Sequence, residues 1–192
     1  MFTGIISNLG RLEKLEKNFT FSAPRPFCSK IKKGDSVSVN GVCLTVEQKN
    51  SPTTFSVSVM PETRQKTTLD KLKIKDIVNL ELPISFKTFL SGHFVQGHVD
   101  SIGKISNTEK KGNSQILTIT VSAKLSRYIV KKGSITINGV SLTVVDSQTK
   151  KFTVAIIPYT WEHTTFNQIK IGDLVNIEVD IVARYLEKFL KK

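Results

Sequence analysis

Residues 34–46 alternate apolar with small polar positions on either side of Asn40-Gly41. An Asn-Gly pair between two alternating runs is the strongest short-range signal for a two-residue hairpin whose turn residues both take positive φ. Such a turn sets Val39 opposite Val42, Ser38 opposite Cys43, Val37 opposite Leu44 and Ser36 opposite Thr45, because opposed residues share a face and the side-chain period is two. One face is then apolar and the other carries Ser36, Ser38, Cys43 and Thr45. Residues 133–144 repeat the construction around Asn138-Gly139: Ile135, Ile137, Val140, Leu142 and Val144 fall on the apolar face, Ser134, Thr136, Ser141 and Thr143 on the polar one.

Further strand-like runs cover residues 2–12, 54–60 and 77–84 in the first half, and 94–105, 115–121, 152–157 and 174–181 in the second. Many short strands with turn signals and one inward apolar face predict a closed antiparallel barrel in each half, an all-β fold. Short helices are expected at 26–31, 68–72 and 123–130, and 83–92 reads as a linker. Residues 182–190 place Val182, Tyr185, Leu186, Phe189 and Leu190 at helical spacing on one side. Such a stripe packs either on its own domain or on another copy of the chain. The expected organisation is a barrel over 1–87, a second over 92–181 and a C-terminal helix over 182–192.

The hairpins belong to a longer duplication. Residues 55–81 align without a gap on 152–178, sharing Phe55/Phe152, Pro61/Pro158, Thr68/Thr165, Asp76/Asp173, Asn79/Asn176 and Glu81/Glu178. Near the start the offset changes, so that Gly4 falls on Gly97 and Gly10 on Gly103. A period of about ninety-five residues is far longer than a solenoid unit and marks a duplicated domain. The 192 residues and the 39% apolar fraction suit one or two globular domains.

The net charge of +12 raises nucleic acid as a partner, but the cations are mostly lysines scattered in short pairs. Only Arg11, Arg25, Arg64, Arg127 and Arg184 offer the bidentate fork suited to phosphate and guanine, so a solvated lysine-rich surface is the better account. Nucleic acid and membrane are therefore not expected partners. No stretch approaches eighteen apolar residues and the first residues lack a signal-peptide pattern, which makes a soluble cytoplasmic protein the expectation. Cys28 and Cys43 stand in no metal or redox spacing, and nothing requires a disulfide between them.

Candidate chemistry lies where the copies differ. Cys43 occupies the position of Ser141, and His98 the position of Ile5. An ionised thiol is a nucleophile, a histidine moves protons near neutral pH, and hydroxyls orient or donate to developing charge. Each also has a bland reading: a buried small hydrophobe for the cysteine, solvent-facing filler for strand hydroxyls. His93 alternates with Val95 and Gly97 and reads as structural, bonded to a backbone carbonyl. Paired carboxylates, a phosphate loop and a nucleophile elbow are all missing from the sequence, and no metal site is expected.

Taken together, Met1-Phe2-Thr3-Gly4-Ile5, Asn40-Gly41-Val42-Cys43-Leu44-Thr45-Val46, Pro61-Glu62-Thr63, the run from Gly92 to Asp100, Lys132-Gly133 and the run from Asn138 to Val144 resemble the riboflavin synthase α-chain family over essentially the whole chain. The resemblance implies two six-stranded Greek-key barrels and a helix that gathers three chains into a trimer. It implies a reaction in which two molecules of 6,7-dimethyl-8-ribityllumazine dismutate by four-carbon transfer to riboflavin and 5-amino-6-(D-ribitylamino)uracil, with no cofactor. One lumazine would sit on each barrel, at the junction of two subunits, and lumazine synthase is a candidate partner.

By the same resemblance the N-terminal pocket uses Gly4, Ile5, Ile6, Cys43, Leu44, Thr45, Ser58, Val59, Met60, Pro61, Glu62 and Thr63. The C-terminal pocket uses His98, Val99, Asp100, Lys132, Ser141, Leu142, Thr143, Ile156, Ile157, Pro158, Tyr159, Thr160 and Trp161. The expected catalytic groups are His98 or Thr143, deprotonating the C7 methyl of one lumazine, and Ser36 or Cys43, activating or adding to C7 of the other. A non-catalytic lumazine or flavin carrier built on the same double barrel is the alternative, disfavoured by the joint presence of Ser36, Cys43, His98, Ser141 and Thr143. An oligonucleotide-binding barrel would need exposed aromatics where this chain has Ser and Thr.

Overall fold

Asn40 and Gly41 take φ values of 46° and 78°, and Asn138 and Gly139 take 47° and 82°, so both expected hairpin turns form. Their ladders hold the expected register, Val39 opposite Val42 through Ser36 opposite Thr45, and Ile137 opposite Val140 through Ser134 opposite Thr143. The computed structural model describes residues 1–190, and the last two residues of the expected 182–192 segment lie outside them.

The first barrel contains β1 (Asn8–Leu15), β2 (Asn18–Ser22), β3 (Ser36–Val39), β4 (Val42–Ser51), β5 (Thr54–Ser58) and β6 (Ile77–Glu81), closed in the order β1-β2-β5-β4-β3-β6. The second contains β7 (Ser101–Lys111), β8 (Ser114–Thr120), β9 (Ser134–Ile137), β10 (Val140–Gln148), β11 (Lys151–Ile156) and β12 (Leu174–Val179), closed in the same Greek-key order. All strand pairs are antiparallel. Closure removes the sheet edges, and the inward side chains fill each interior.

The alternation of Phe19 and Phe21 with Thr20 and Ser22 builds β2, a strand absent from the sequence expectation. Phe19, Phe21, Phe27 and Phe55 pack at centroid distances of 6.0 to 6.5 Å in the first core. The second core is built around Ile105, Ile119, Ile135, Ile137, Phe152 and Phe166. Each such side chain, once fully buried, contributes about 1.5–3 kcal/mol of hydrophobic stabilisation.

Among the described residues five short α-helices punctuate the barrels: α1 (Arg25–Cys28), α2 (Pro61–Lys66), α3 (Ala123–Ser126), α4 (Pro158–His163) and α5 (Ile181–Leu190). α1 and α3 are shorter than the expected 26–31 and 123–130, and the expected helix at 68–72 is a single 3-10 turn, Leu69–Lys71. α2 and α4 were not anticipated, although Pro61 and Pro158 stand at the first helical position that proline favours. Among the described residues no helix is long and apolar enough to cross a membrane. Cys28 and Cys43 are both free thiols.

The barrels meet at their hairpin turns across an approximate two-fold axis. A Cβ on Gly41 would lie 2.6 Å from the Gly139 nitrogen, and one on Gly139 would lie 2.8 Å from the Gly41 nitrogen, so only glycine fits at either turn. Beside them two buried asparagines trade equivalent bonds. Asn79 Nδ2 donates to the Asn138 carbonyl and Asn176 Nδ2 to the Asn40 carbonyl, at 2.9 and 2.8 Å. Asn79 Oδ1 accepts from the Thr165 amide and Asn176 Oδ1 from the Thr68 amide, each at 2.8 Å. A buried amide whose oxygen and nitrogen both bond across the seam favours one docking of the two barrels, because losing it would leave those polar groups dry and unpaired.

The expected strands at 2–12 and 94–105 start later, at Asn8 and Ser101. Gly4 and Gly97 take φ of 77° and 78°, which breaks the extended chain. The residues before β1 and β7 become two arms, joined where Phe2 pairs with Val95.

Candidate functional site

The arms are exchanged between the barrels. The Gly4 carbonyl accepts from the Ser141 amide of β10 at 2.8 Å, and the Gly97 carbonyl accepts from the Cys43 amide of β4 at 2.9 Å. Ile6 packs on the second core and Val99 on the first. Both contacts need glycine: a Cβ at Gly4 would sit 2.5 Å from Ser141 Cβ, and one at Gly97 would sit 2.6 Å from Cys43 Cβ. The arm with Gly4, Ile5 and Ile6, expected in the first pocket, thus lies against the second barrel, and the arm with His98 and Val99, expected in the second, lies against the first. Each arm leaves its own barrel to lie along the rim of the other.

At the first rim Cys43 is half-buried opposite Ser38, Ser36 is half-buried opposite Thr45, and Thr45 is exposed. His98 is exposed and follows Gly97 directly, which places it at the edge of β4 where Cys43 stands. Ser58, Met60, Pro61 and Glu62 are exposed and Thr63 half-buried, around the start of α2. At the second rim Ser141 is half-buried opposite Thr136, and Thr143 is exposed opposite Ser134. Lys132 is exposed in the turn before β9, with φ 66°. Ile157, Pro158 and Tyr159 are exposed and Thr160 half-buried at α4, while Leu142 and Trp161 pack partly on the second core.

Leu44, Val59 and Ile156 do not present side chains to either rim, because they are 5%, 6% and 0% exposed within the cores. Only their backbones could meet a ligand. Asp100 likewise turns inward, accepting from the Val179 amide at 2.9 Å, and burial raises its carboxyl above the usual range.

His93 is not bonded through its ring to a backbone carbonyl, as its strand position suggested. Its Nδ1 lies 2.7 Å from Ser141 Oγ and its Nε2 lies 3.1 Å from Thr136 Oγ1. Burial lowers its pKa, so the imidazole is neutral at neutral pH, one nitrogen donating and the other accepting. A histidine so placed orients the Ser141 and Thr136 hydroxyls. Its partner Ser141 is remote in the chain, so no local signal could have found the contact. By the repeat offset of Gly4 on Gly97, His93 has no counterpart in the first half.

Two buried glutamates anchor the arms. Glu81 Oε1 accepts from the Thr3 amide and hydroxyl at 2.6 and 2.7 Å, and its Oε2 from the Gly4 amide at 3.0 Å. Glu178 does the same for the Gln96 and Gly97 amides at 2.7 and 2.9 Å. Burial raises both carboxyls, Glu178 to about 7, against the lowering influence of the amides.

A cavity of about 820 Å³ opens elsewhere, on the seam beside Asn40 and Asn138, and shares no residue with the two rims. The rims themselves are open and carry bare apolar side chains, with Ile5 49%, Met60 68%, Ile157 56% and Tyr159 68% exposed. Two open polar faces with apolar borders suit flat, polar-edged ligands that a further surface covers.

The family described as lumazine binding domain matches the chain twice, over residues 3–83 and 96–180. A riboflavin synthase of Actinobacillus pleuropneumoniae is 43% identical over 196 residues, covering 100% of this chain and 91% of that protein. One of Bacillus subtilis is 41% identical over 198 residues, again covering 100% and 91%. Among solved structures, LumP complexed with 6,7-dimethyl-8-(1'-D-ribityl) lumazine has a TM-score of 0.85 at 21% identity, covering 94% of this chain and 99% of that one. LumP complexed with riboflavin has a TM-score of 0.84 at 22% identity, covering 94% and 100%. At that identity the likeness to LumP establishes the shared fold.

Proposed function

The chain belongs to the riboflavin synthase family of transferases, and we propose that it converts two molecules of 6,7-dimethyl-8-ribityllumazine into riboflavin and 5-amino-6-(D-ribitylamino)uracil. The observation that carries this reading is the pair of homologous rims with unequal side chains. A dismutation needs two similar sites that treat one substrate in two ways. The two products together contain every atom of the two substrates, so the net reaction consumes no oxidant or reductant.

Each rim binds one lumazine. Between the two bound molecules, the exposed imidazole of His98 or the Thr143 hydroxyl assists loss of a proton from the C7 methyl of one lumazine, and Ser36 or Cys43 activates or adds to C7 of the other. At the second rim, Ser141 and Thr143 orient its lumazine, with Ser141 held by neutral His93. Holding two rings face to face removes translational and rotational freedom, which can supply about 7–11 kcal/mol of the barrier. Positioning is thus the larger share of catalysis.

The facing surface comes from a second copy of the chain. On α5 the side chains of Val182, Tyr185, Leu186, Phe189 and Leu190 are 55–81% exposed, an apolar stripe that three helices packed together would bury. The homotrimer brings the first rim of one subunit against the second rim of its neighbour. The free thiols suit the reducing cytoplasm, and lumazine synthase there would deliver the substrate. Sedimentation of the chain with and without residues 182–192 tests the trimer, and co-sedimentation with lumazine synthase tests that partner.

Incubating the purified protein with the lumazine alone tests the reaction. Catalytic formation of riboflavin and the pyrimidine in equal amounts is the expected result. Tight stoichiometric binding with neither product would replace the synthase with a carrier.

A further inference from the structure

Glu178 stands near the end of β12 in the second barrel, 5% exposed, paired in the ladder with Thr136 of β9. Its two carboxylate oxygens each take one amide of the second arm, Gln96 at 2.7 Å and Gly97 at 2.9 Å. The arm then passes straight to the first barrel. The Gly97 carbonyl receives the Cys43 amide, and a Cβ on Gly97 would strike Cys43 Cβ at 2.6 Å, so there is no slack in the contact. His98 follows at once, and Val99 seats the arm on the first core.

We infer that Glu178 is a positioning residue for the first barrel's pocket, a carboxylate of one barrel that fixes the 96–99 arm and so sets His98 beside Cys43 on the other. This rests on the reading of His98 and Cys43 given above. An ionised carboxylate suits the task because both oxygens accept, whereas a carboxamide or a protonated acid keeps one good acceptor and turns a donor group toward the other amide.

The environment makes the clamp pH-sensitive. The charged group facing Glu178 is Asp100, itself 3.5 Å from Arg184 of α5, and the His98 amide also points at the carboxylate. Burial first and Asp100 second raise Glu178 from 4.5 to about 7, against the lowering effect of the arm's amides. The clamp gains its ionised form as pH rises through that region and loosens as pH falls. Stability runs the other way: a raised carboxyl favours the fold most below 4.5, and that contribution is lost as pH rises through about 7.

Two readouts on the full chain test the clamp. The first is the rate at which iodoacetamide alkylates Cys43 at one fixed pH, Cys28 being buried. The second is riboflavin formation, resolved into kcat and KM across pH. Glu178→Gln is expected to alkylate several-fold faster at Cys43, to lose about tenfold or more in kcat with a smaller change in KM, and to flatten the pH limb near neutrality. Glu81→Gln, which loosens the twin arm at Ser141, leaves the alkylation rate of Cys43 unchanged. Gly97→Ala keeps the carboxylate side chain but displaces the arm, its Gly97 amide included, and reproduces the faster alkylation, which keeps the test open should Glu178→Gln fail to fold. Unchanged alkylation in both variants, or a kcat and pH profile for Glu178→Gln that match the wild type, would overturn the proposal. Absence of riboflavin formation by the wild-type protein overturns the reading of function, while the alkylation rates still decide the clamp.

Discussion

The two barrels share strand order, hairpin turns and glutamate-held arms, yet their rims are chemically unlike. The first offers a thiol opposite Ser38, with exposed His98 one residue beyond the Gly97 whose carbonyl bonds the Cys43 amide. The second offers Ser141 opposite Thr136, both tied to a half-buried neutral imidazole, with Ile5 where the first rim has His98. One rim carries a half-buried thiol and an exposed histidine, the other a serine hydroxyl bonded to a histidine. Because the arms are exchanged, each rim takes part of its chemistry from the opposite end of the chain. Duplication supplied the frame, and divergence of arms and strand ends made the two rims unlike.

Removing the group that most separates the rims should have the largest effect. His98→Ala is expected to lower kcat by about a thousandfold if the imidazole transfers a proton, with fold and Tm unchanged because the side chain is exposed. A loss below tenfold, measured in initial-rate assays of riboflavin formation, would dissolve the contrast between the rims.

The shared frame should break equally from either side. Asn79→Leu and Asn176→Leu each leave an opposite-barrel carbonyl and amide unpaired at the seam, and each should cost about 2–4 kcal/mol in urea unfolding. Unequal costs would show that the two-fold likeness of the seam is not energetic.

A smaller effect sharpens the orienting role of the second rim. His93→Phe frees the Ser141 and Thr136 hydroxyls and is expected to lower turnover by about tenfold. Since burial lowers the pKa of His93 from 6.5, the stability that its neutral form contributes is present above 6.5 and is lost as pH falls. The variant should lack that acid-side decline in thermal melts, and a decline equal to the wild type would assign it to another group.

The hairpins were legible because their signal is local. Asn-Gly turns and period-two alternation act over a few residues, so the register of Val39 with Val42 and of Ile137 with Val140 followed directly. Cys43 and His98 were legible as differences between aligned copies. The arms were not, since residues 2–6 and 94–100 read as plain continuations of strands. Nothing local says that Gly4 stops against Ser141 or Gly97 against Cys43. His93 was misread for the same reason: its ring finds hydroxyls on two strands of a barrel that its neighbours only approach.

Alternation, turn chemistry and duplication alone determined that the chain makes two like antiparallel barrels with a polar face near each Asn-Gly turn. Those are short-range steric and burial preferences, written residue by residue. Only the tertiary structure decided which arm completes which rim, which hydroxyls His93 orients and which carboxylates hold the arms. Each of these depends on close backbone approach and on satisfying buried polar groups between segments far apart in the chain, and such conditions exist only once both barrels have closed and docked.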